Sequence, residues 1–399
     1  MAPRSMETSE LSVSERERFL LSALQTDTSA RARRRARILL DALAGKEIAL
    51  VARELKTSPA RIQYVLRAFE EKRLASFSAA ALKRVTAPPK PRRASPPLTA
   101  QTSLRVAARR IIAHQAAKLK HTEQGVRFGS DIEAVHAMRV ACRRMNSAFR
   151  LFRDYLPKAR TKKLRRTLEE LRDVLGAARN LDVLRADLET FRADAAEADR
   201  AELQRVADAW DAERAIQQRA LIELLDSEKF QEWRKQLDAF LNEKEENHSP
   251  HIAAILPALL WQQYGAVRAY ETEIGNASLE ELHGLRIQIK RLRYTLEFFA
   301  ETFGEKPDAL LEPLIALQDE LGVIHDAAVA GQALTGFVTA EAHAAKRAGQ
   351  AAPDFRAIAA YHADLQARIQ ARRAQLSDLW ECVVASSFRE RLAQITAQL

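Results

Sequence analysis

The chain is poor in the residues that mark several common protein classes. Its 399 residues include two cysteines, Cys142 and Cys382, far apart and at no metal-ligand or redox spacing, which excludes a disulfide scaffold or a cysteine-based metal site. Such free cysteines suit a reducing interior, where they act as small core residues. Glycine is scarce at 12 residues and aromatics make up 6%, whereas Ala, Leu, Arg and Glu abound, so the composition favours helices over sheets. No signal-type apolar stretch opens the chain and no run of 18 apolar residues occurs, so the sequence reads as a cytoplasmic protein without a membrane partner. Anionic balance is lacking too. A formal net charge of +10 points to acidic partners, namely nucleic acid, anionic lipid or phosphate polymers.

Proline concentrates in Ala87–Pro97, APPKPRRASPP, where missing amide donors favour extended backbone. A linker over residues 79–102 therefore divides a small unit, residues 12–78, from a large one, residues 103–395, with halves at about 103–240 and 250–395. In the small unit, residues 29–44 place Ala36, Leu39, Leu40 and Leu43 on one helical face. A short helix over Glu47–Leu55, a turn at Lys56-Thr57, and a helix capped by Ser58 with Pro59 at its first position follow. Ile62, Val65, Leu66 and Phe69 form the buried stripe of that last helix. This stretch resembles the helix-turn-helix domains of transposase-like and homeodomain-like regulators, except that Lys56 stands where such turns usually carry glycine. The resemblance implies DNA contact through Arg61, Tyr64 and Arg67. The alternative is a helical packing module without DNA contact.

The large unit repeats itself. DIEAVHAMRVACRRMNSAFRLF at 131–152 aligns with SLEELHGLRIQIKRLRYTLEFF at 278–299, and LEELRDVLGAARNLDVL at 168–184 with LIALQDELGVIHDAAVA at 314–330. His136 then pairs with His283, Arg139 with Arg286, Arg143 with Lys290, Arg144 with Arg291, and Gly176 with Gly322. Val135, Met138, Cys142 and Met145 form one apolar helical stripe, and Leu282, Leu285, Ile289 and Leu292 form the other. Beside each stripe the His and its cations share a face. Like charges at i, i+4 cost an isolated helix roughly 0.2–0.5 kcal/mol per pair, a cost that an anion lying against them removes. The next helix adds Lys162, Lys163 and Arg166 as candidate contacts.

V-H-x-x-R-V-x-x-R-R around His136, L-H-x-L-R-x-x-x-K-R-L-R-Y around His283, and L-G-x-x-x-D at Leu321, Gly322 and Asp326 resemble the CHAD domain, the conserved histidine α-helical domain, over about residues 103–395. That resemblance implies an all-α fold of two pseudo-symmetric four-helix halves, with basic side chains lining a central groove or pore. It also implies non-catalytic binding of inorganic polyphosphate. The family's basic positions fall on His136, Arg139, Arg143 and Arg144, and on His283, Arg286, Lys290, Arg291 and Arg293 with Tyr294 beside them. The first half departs from the pattern at Arg179-Asn180-Leu181-Asp182, and sets Asn146 and Ser147 opposite Arg293 and Tyr294. The halves are therefore expected to contribute unequally.

Arginine suits a phosphate polymer because its planar fork makes bidentate, charge-assisted contacts to oxyanions. The aromatic platforms expected for single-stranded nucleic acid are nearly absent from the basic helices. Two other classes stay in view: a nucleic-acid-binding regulator, and a histidine-dependent metal or phosphate enzyme. The latter lacks a second ligand at clear spacing, so no catalytic residue, metal or cofactor is expected. Polyphosphate binding implies granule association. Trp210, Trp233, Trp261 and Trp380 read as core anchors, and Ala340–Ala352 as a flexible connection. Oligomeric state, polymer length preference and any DNA site are not encoded legibly.

Overall fold

The structure, a computed structural model, describes residues 17, 20–21, 24–25, 29–78, 97–128, 132–243, 249–271, 274–304, 307–351 and 353–399. Among these residues are thirteen α-helices and no strand. Most of the linker expected over 79–102 lies outside the described residues. The chain divides into two compact units, Met1–Arg93 with Glu123–Asp131, and Ala94–Thr122 with Ile132–Leu399.

The first unit contains α1 (Ala30–Leu43), α2 (Ile48–Glu54) and α3 (Pro59–Lys72). Ser29 and Ser58 cap α1 and α3, each hydroxyl accepting from a backbone amide at 3.3 Å, which satisfies one of the donors left open at a helix start. Leu21, Leu24, Ala36, Leu39, Val51, Ile62, Leu66 and Phe69 share one core. Between α2 and α3, Lys56 takes φ 46°, in the left-handed region. A side chain there costs roughly 1–2 kcal/mol. The Arg34 guanidinium offsets this by donating to the Leu55 carbonyl at 2.5 Å and the Lys56 carbonyl at 3.0 Å. This is how the turn tolerates lysine in place of glycine.

The second unit is a helical repeat. Its first half runs α4 (Leu104–Phe128, to Thr122 in this unit), α5 (Ile132–Leu151), α6 (Lys158–Asp194), α7 (Glu197–Asp226) and α8 (Glu228–Leu241). The second runs α9 (Ile252–Arg268), α10 (Leu279–Phe298), α11 (Asp308–Arg347), α12 (Arg356–Val384) and α13 (Ser386–Ala397). Each half is thus four long helices followed by a short fifth. The apolar stripes of α5 and α10 are buried, with Val135, Met138, Cys142, Met145, Leu285, Ile289 and Leu292 at 0% exposure. Burying one such leucine or methionine contributes about 1.5–3 kcal/mol.

Equivalent residues meet across the repeat, as a pseudo-two-fold axis requires. Phe152 and Phe299 pack edge to face at 5.9 Å. The entries to the halves pair reciprocally, the Leu104 amide donating to the Pro250 carbonyl at 2.9 Å and the Ile252 amide to the Thr102 carbonyl at 3.0 Å. Two expectations are corrected. Alanine, the best helix former, carries α11 through Ala340 to Arg347, with Ala345 buried, so no flexible connection begins at Ala340. Trp261 is 39% exposed on α9 rather than a core anchor, whereas Trp233 is buried and donates to the Leu164 carbonyl at 2.9 Å.

Candidate anion groove

With the apolar stripes of α5 and α10 turned inward, their basic faces flank the pseudo-dyad. Ser278 starts α10 with a capping box, its hydroxyl accepting from the Glu281 amide at 3.2 Å and its amide donating to the Glu281 carboxylate at 2.6 Å. Helical periodicity then carries His283, Arg286 and Lys290 up one side. The third helix of each half supplies the other wall, with a glycine where the arginine of the facing helix approaches. A Cβ on Gly176 would stand 4.0 Å from Arg139 Nε, and one on Gly322 would stand 3.4 Å from Arg286 Nη2. An interior glycine costs a helix about 1 kcal/mol relative to alanine. Both copies of the repeat bear that cost at the same place.

The cations of the two halves act on one another. Burial lowers the Arg139 pKa, and Arg143, Arg286 and Arg179 lower it further against the opposing pull of Asp326. Burial also lowers Arg286, with Asp326 opposing and Arg143 reinforcing. Lys290 is pushed down to about 7 by burial and then by Arg286, Arg143, Arg139 and Arg293. His325, whose ring centroid lies 4.8 Å from that of His283, is pushed down to about 4 by burial and then by Arg286, His283, Lys290 and Arg139. Burial lowers His136 and His283 as well, with Arg179 and Arg286 respectively the next causes. Asp326 keeps access to water at its surface, yet partial burial raises its carboxyl above the usual range while Arg286 and Arg139 pull the other way.

Among the described residues the cluster carries more cations than carboxylates, Asp326 being the acidic group that acts on both Arg139 and Arg286. Among the described residues Arg143 Nε, Arg286 Nε and His136 Nδ1 are buried without any acceptor or donor, a costly state for polar atoms. On the first-half side Arg139 and Arg143 open onto a cavity of about 410 Å³, whose wall includes Arg172, Asp173, Gly176 and Asn180, with Arg172 donating to the Asp173 carboxylate at 2.6 and 2.9 Å. Guanidinium groups converging on such a cavity can wrap a chain of oxyanions, each contact charge-assisted. Among the described residues, no three His, Cys, Asp or Glu side chains gather as a metal site would need.

The residues expected from sequence divide into two sets. His136, Arg139, Arg143, His283, Arg286 and Lys290 come together. Arg144 instead forms an ion pair with Glu297, its guanidinium 5.0 Å from the Tyr294 ring and 5.1 Å from that of Phe298. Arg293 lies 3.5 Å from Glu297 and 5.2 Å from the Tyr294 ring. Tyr294 is 2% exposed, so it presents no face to a ligand; its ring receives Arg143 at 5.9 Å and holds that guanidinium beside the groove. Arg291 is exposed and donates to the Gln288 side chain at 3.1 Å. Lys162, Lys163 and Arg166 are exposed on α6, Arg166 lying 3.8 Å from Glu170. Three groove residues, Arg172, Arg179 and His325, lie outside the expected set. Arg179 and His325 occupy the same repeat position, and two basic residues there are the signal that could have found them.

The family model of the CHAD domain matches residues 110–335. The crystal structure of the CHAD domain from the plant Ricinus communis superposes with a TM-score of 0.61 at 26% identity, covering 73% of this chain and 94% of that one. PptA from Streptomyces chartreusis has a similar fold, with a TM-score of 0.55 at 16% identity over 70% of this chain and 100% of that one. No curated protein matches the sequence.

Proposed function

Because the chain belongs to the CHAD family, and because its two halves bring arginines with unsatisfied guanidinium nitrogens to one groove, we propose that it binds inorganic polyphosphate there without turning it over. The observation that carries the reading is the meeting of Arg139 and Arg143 with Arg286 and Lys290, with burial lowering the pKa values of Arg139, Arg286 and Lys290. Cations so placed raise the energy of the empty protein, and a polyanion lowers it. Water-accessible Asp326 marks the groove as open, so a thin chain can thread it. The burial of Tyr294 favours polyphosphate over single-stranded RNA, which needs exposed rings on which to stack its bases. On this reading Arg139, Arg143, Arg179 and Arg286 supply forked donors, Lys290 a point charge, and the three histidines ring N–H groups. The protein then belongs in the cytoplasm on polyphosphate granules, and a tagged chain that stays diffuse in polyphosphate-rich cells overturns that part.

The test is calorimetric titration of the full chain with medium-chain polyphosphate at about 150 mM salt, where screening is physiological. Wild type is compared with a variant in which Arg139, Arg143, Arg286 and Lys290 are all alanine. Tight binding that disappears in the still-helical variant is the expected result. A folded wild type that does not bind sinks the reading.

A further inference from the structure

The first unit holds an arginine-lined feature that the groove reading does not use. Arg31 and Arg35 of α1 and Arg61 of α3 bound a concavity of about 280 Å³, and among the described residues no carboxylate lines it. The one carboxylate of α1, Asp41, is taken by Arg37 at 2.7 Å and Lys46 at 3.2 Å. Arg34 is committed to the carbonyls of the turn. Arg35 Nε is buried with no acceptor among the described residues, and its guanidinium lies 5.9 Å from the Phe77 ring. Burial holds that guanidinium below the ordinary range; Tyr64 opposes the shift, and Arg31 and Arg61 reinforce it.

The rest of the lining is of another kind. Ile38 and Val65 give it a buried apolar floor, and the Tyr64 ring stands at its edge, 57% exposed, with the Arg61 guanidinium 5.6 Å away. Three guanidiniums without a counter-ion repel one another and welcome oxyanions. The apolar floor and the ring ask instead for a flat, largely apolar body. Inorganic polyphosphate has no such body, and a duplex keeps its bases paired and stacked within itself. A free nucleotide carries both parts. The volume is small beside ligand pockets of roughly 300–1,000 Å³, so it suits one nucleotide rather than a strand.

We propose that this concavity takes a single nucleoside triphosphate, its phosphates on Arg31, Arg35 and Arg61 and its base against Tyr64. Three forked cations match three linked phosphate groups better than one. The amide end of α3, a helix of 14 residues, adds to the same field. Every base has a π-face to stack, so ATP and GTP should both enter. The site shares no residue with the groove and stands whether or not polyphosphate binds there. Arg67, expected from sequence to touch DNA, is half-buried and does not line it.

Calorimetric titration with ATP, AMP and inorganic triphosphate tests this on the full chain carrying Arg139→Ala/Arg143→Ala/Arg286→Ala/Lys290→Ala, which removes the groove as a competing site. Wild type with its groove saturated by polyphosphate is run beside it, in case that variant fails to fold. Both should bind ATP, and AMP and inorganic triphosphate about tenfold more weakly. Adding Tyr64→Ala should cost ATP about tenfold and inorganic triphosphate nothing, whereas Tyr64→Phe should keep both. Adding Arg31→Gln/Arg61→Gln should lose both. The proposal is overturned if ATP fails to bind, if inorganic triphosphate binds as tightly, or if Tyr64→Ala leaves ATP untouched. ATP binding that survives the glutamine variant overturns it by placing the nucleotide elsewhere. A mixed-sequence duplex that binds where ATP does not overturns it as well, by giving the concavity to nucleic acid.

Discussion

In the first half of the repeat Arg139 and Arg143 open onto a cavity walled by Arg172 and Asn180; in the second half Arg286 and Lys290 meet His283, His325 and Asp326. The backbone positions correspond one to one, so the difference lies in the side chains. Arg143 is answered by Lys290, Arg179 by His325, and Asn180 by Asp326. Arginine does not lose its proton in a protein, whereas lysine and histidine do when buried among like charges. The second half therefore carries two titratable groups, Lys290 and His325, where the first carries the fixed charges of Arg143 and Arg179. A duplicated scaffold has kept its packing and divided the labour of its cations.

The shared packing should show the largest effect. Phe152→Ala and Phe299→Ala remove the same edge-to-face pair from opposite sides, and each should cost about 3–5 kcal/mol in denaturant unfolding. Costs that differ by more than about 1 kcal/mol would break the symmetric part of the comparison. The groove should then separate the halves. At pH 8, Arg139→Ala/Arg143→Ala should weaken polyphosphate binding about 100-fold, and Arg286→Ala/Lys290→Ala less, about tenfold, because Lys290 starts largely neutral there and must take up a proton to contribute, while each charge-assisted contact contributes roughly 1.5–3 kcal/mol. Equal losses in calorimetry would mean that the titratable half contributes fixed charge after all.

The pH dependence sharpens the same contrast. Lys290 sits near 7 in the free protein, and a bound phosphate raises it, so binding takes up a proton between those two values. Affinity is then full below about 7 and falls as pH rises above it, by at most about tenfold per pH unit until the bound-state pKa is passed. Titrations in buffers of different ionisation enthalpy should register the proton uptake. Lys290→Arg should flatten the profile, and an unchanged slope in that variant would remove Lys290 as its source.

Much of this is legible in the sequence because the repeat states its own geometry. Matching stripes determine which faces of α5 and α10 are buried, and the cations at i, i+3 and i+7 from each histidine follow onto the groove. Neighbours in sequence do not follow. Arg144 and Arg291 stand one residue past Arg143 and Lys290, about 100° around the helix, and consecutive residues do not share a face. Arg144 accordingly turns to Glu297 and Arg291 to Gln288. Lys162, Lys163 and Arg166 form a dense run, but Leu164 and Leu168 point to the core and leave them to solvent. Tyr294 adjoins the motif and so reads as a ligand contact; its ring is more useful buried, where arginines lean on it. The pairing of Asp187 with Arg368 at 2.7 Å and with the Tyr361 hydroxyl at 2.6 Å joins α6 to α12, a long-range contact with no local pattern to betray it.

The two glycines give the smallest and most discriminating difference. Alanine at either position should raise helix stability by up to about 1 kcal/mol, so a loss of affinity there cannot be blamed on unfolding. At Gly176 the added methyl would meet Arg139 at 4.0 Å, an ordinary contact, and affinity should not change. At Gly322 it would stand 3.4 Å from Arg286 Nη2 and 3.8 Å from Nε, a closer contact that the guanidinium meets by giving a few tenths of an ångström. A displaced charge-assisted contact weakens rather than vanishes, so Gly322→Ala should bind polyphosphate about threefold more weakly while melting at a higher temperature. If Gly176→Ala loses as much, both arginines depend on a bare helix backbone to the same degree. If neither loses affinity, the glycines serve packing alone, and the arginines are held by the opposing helices.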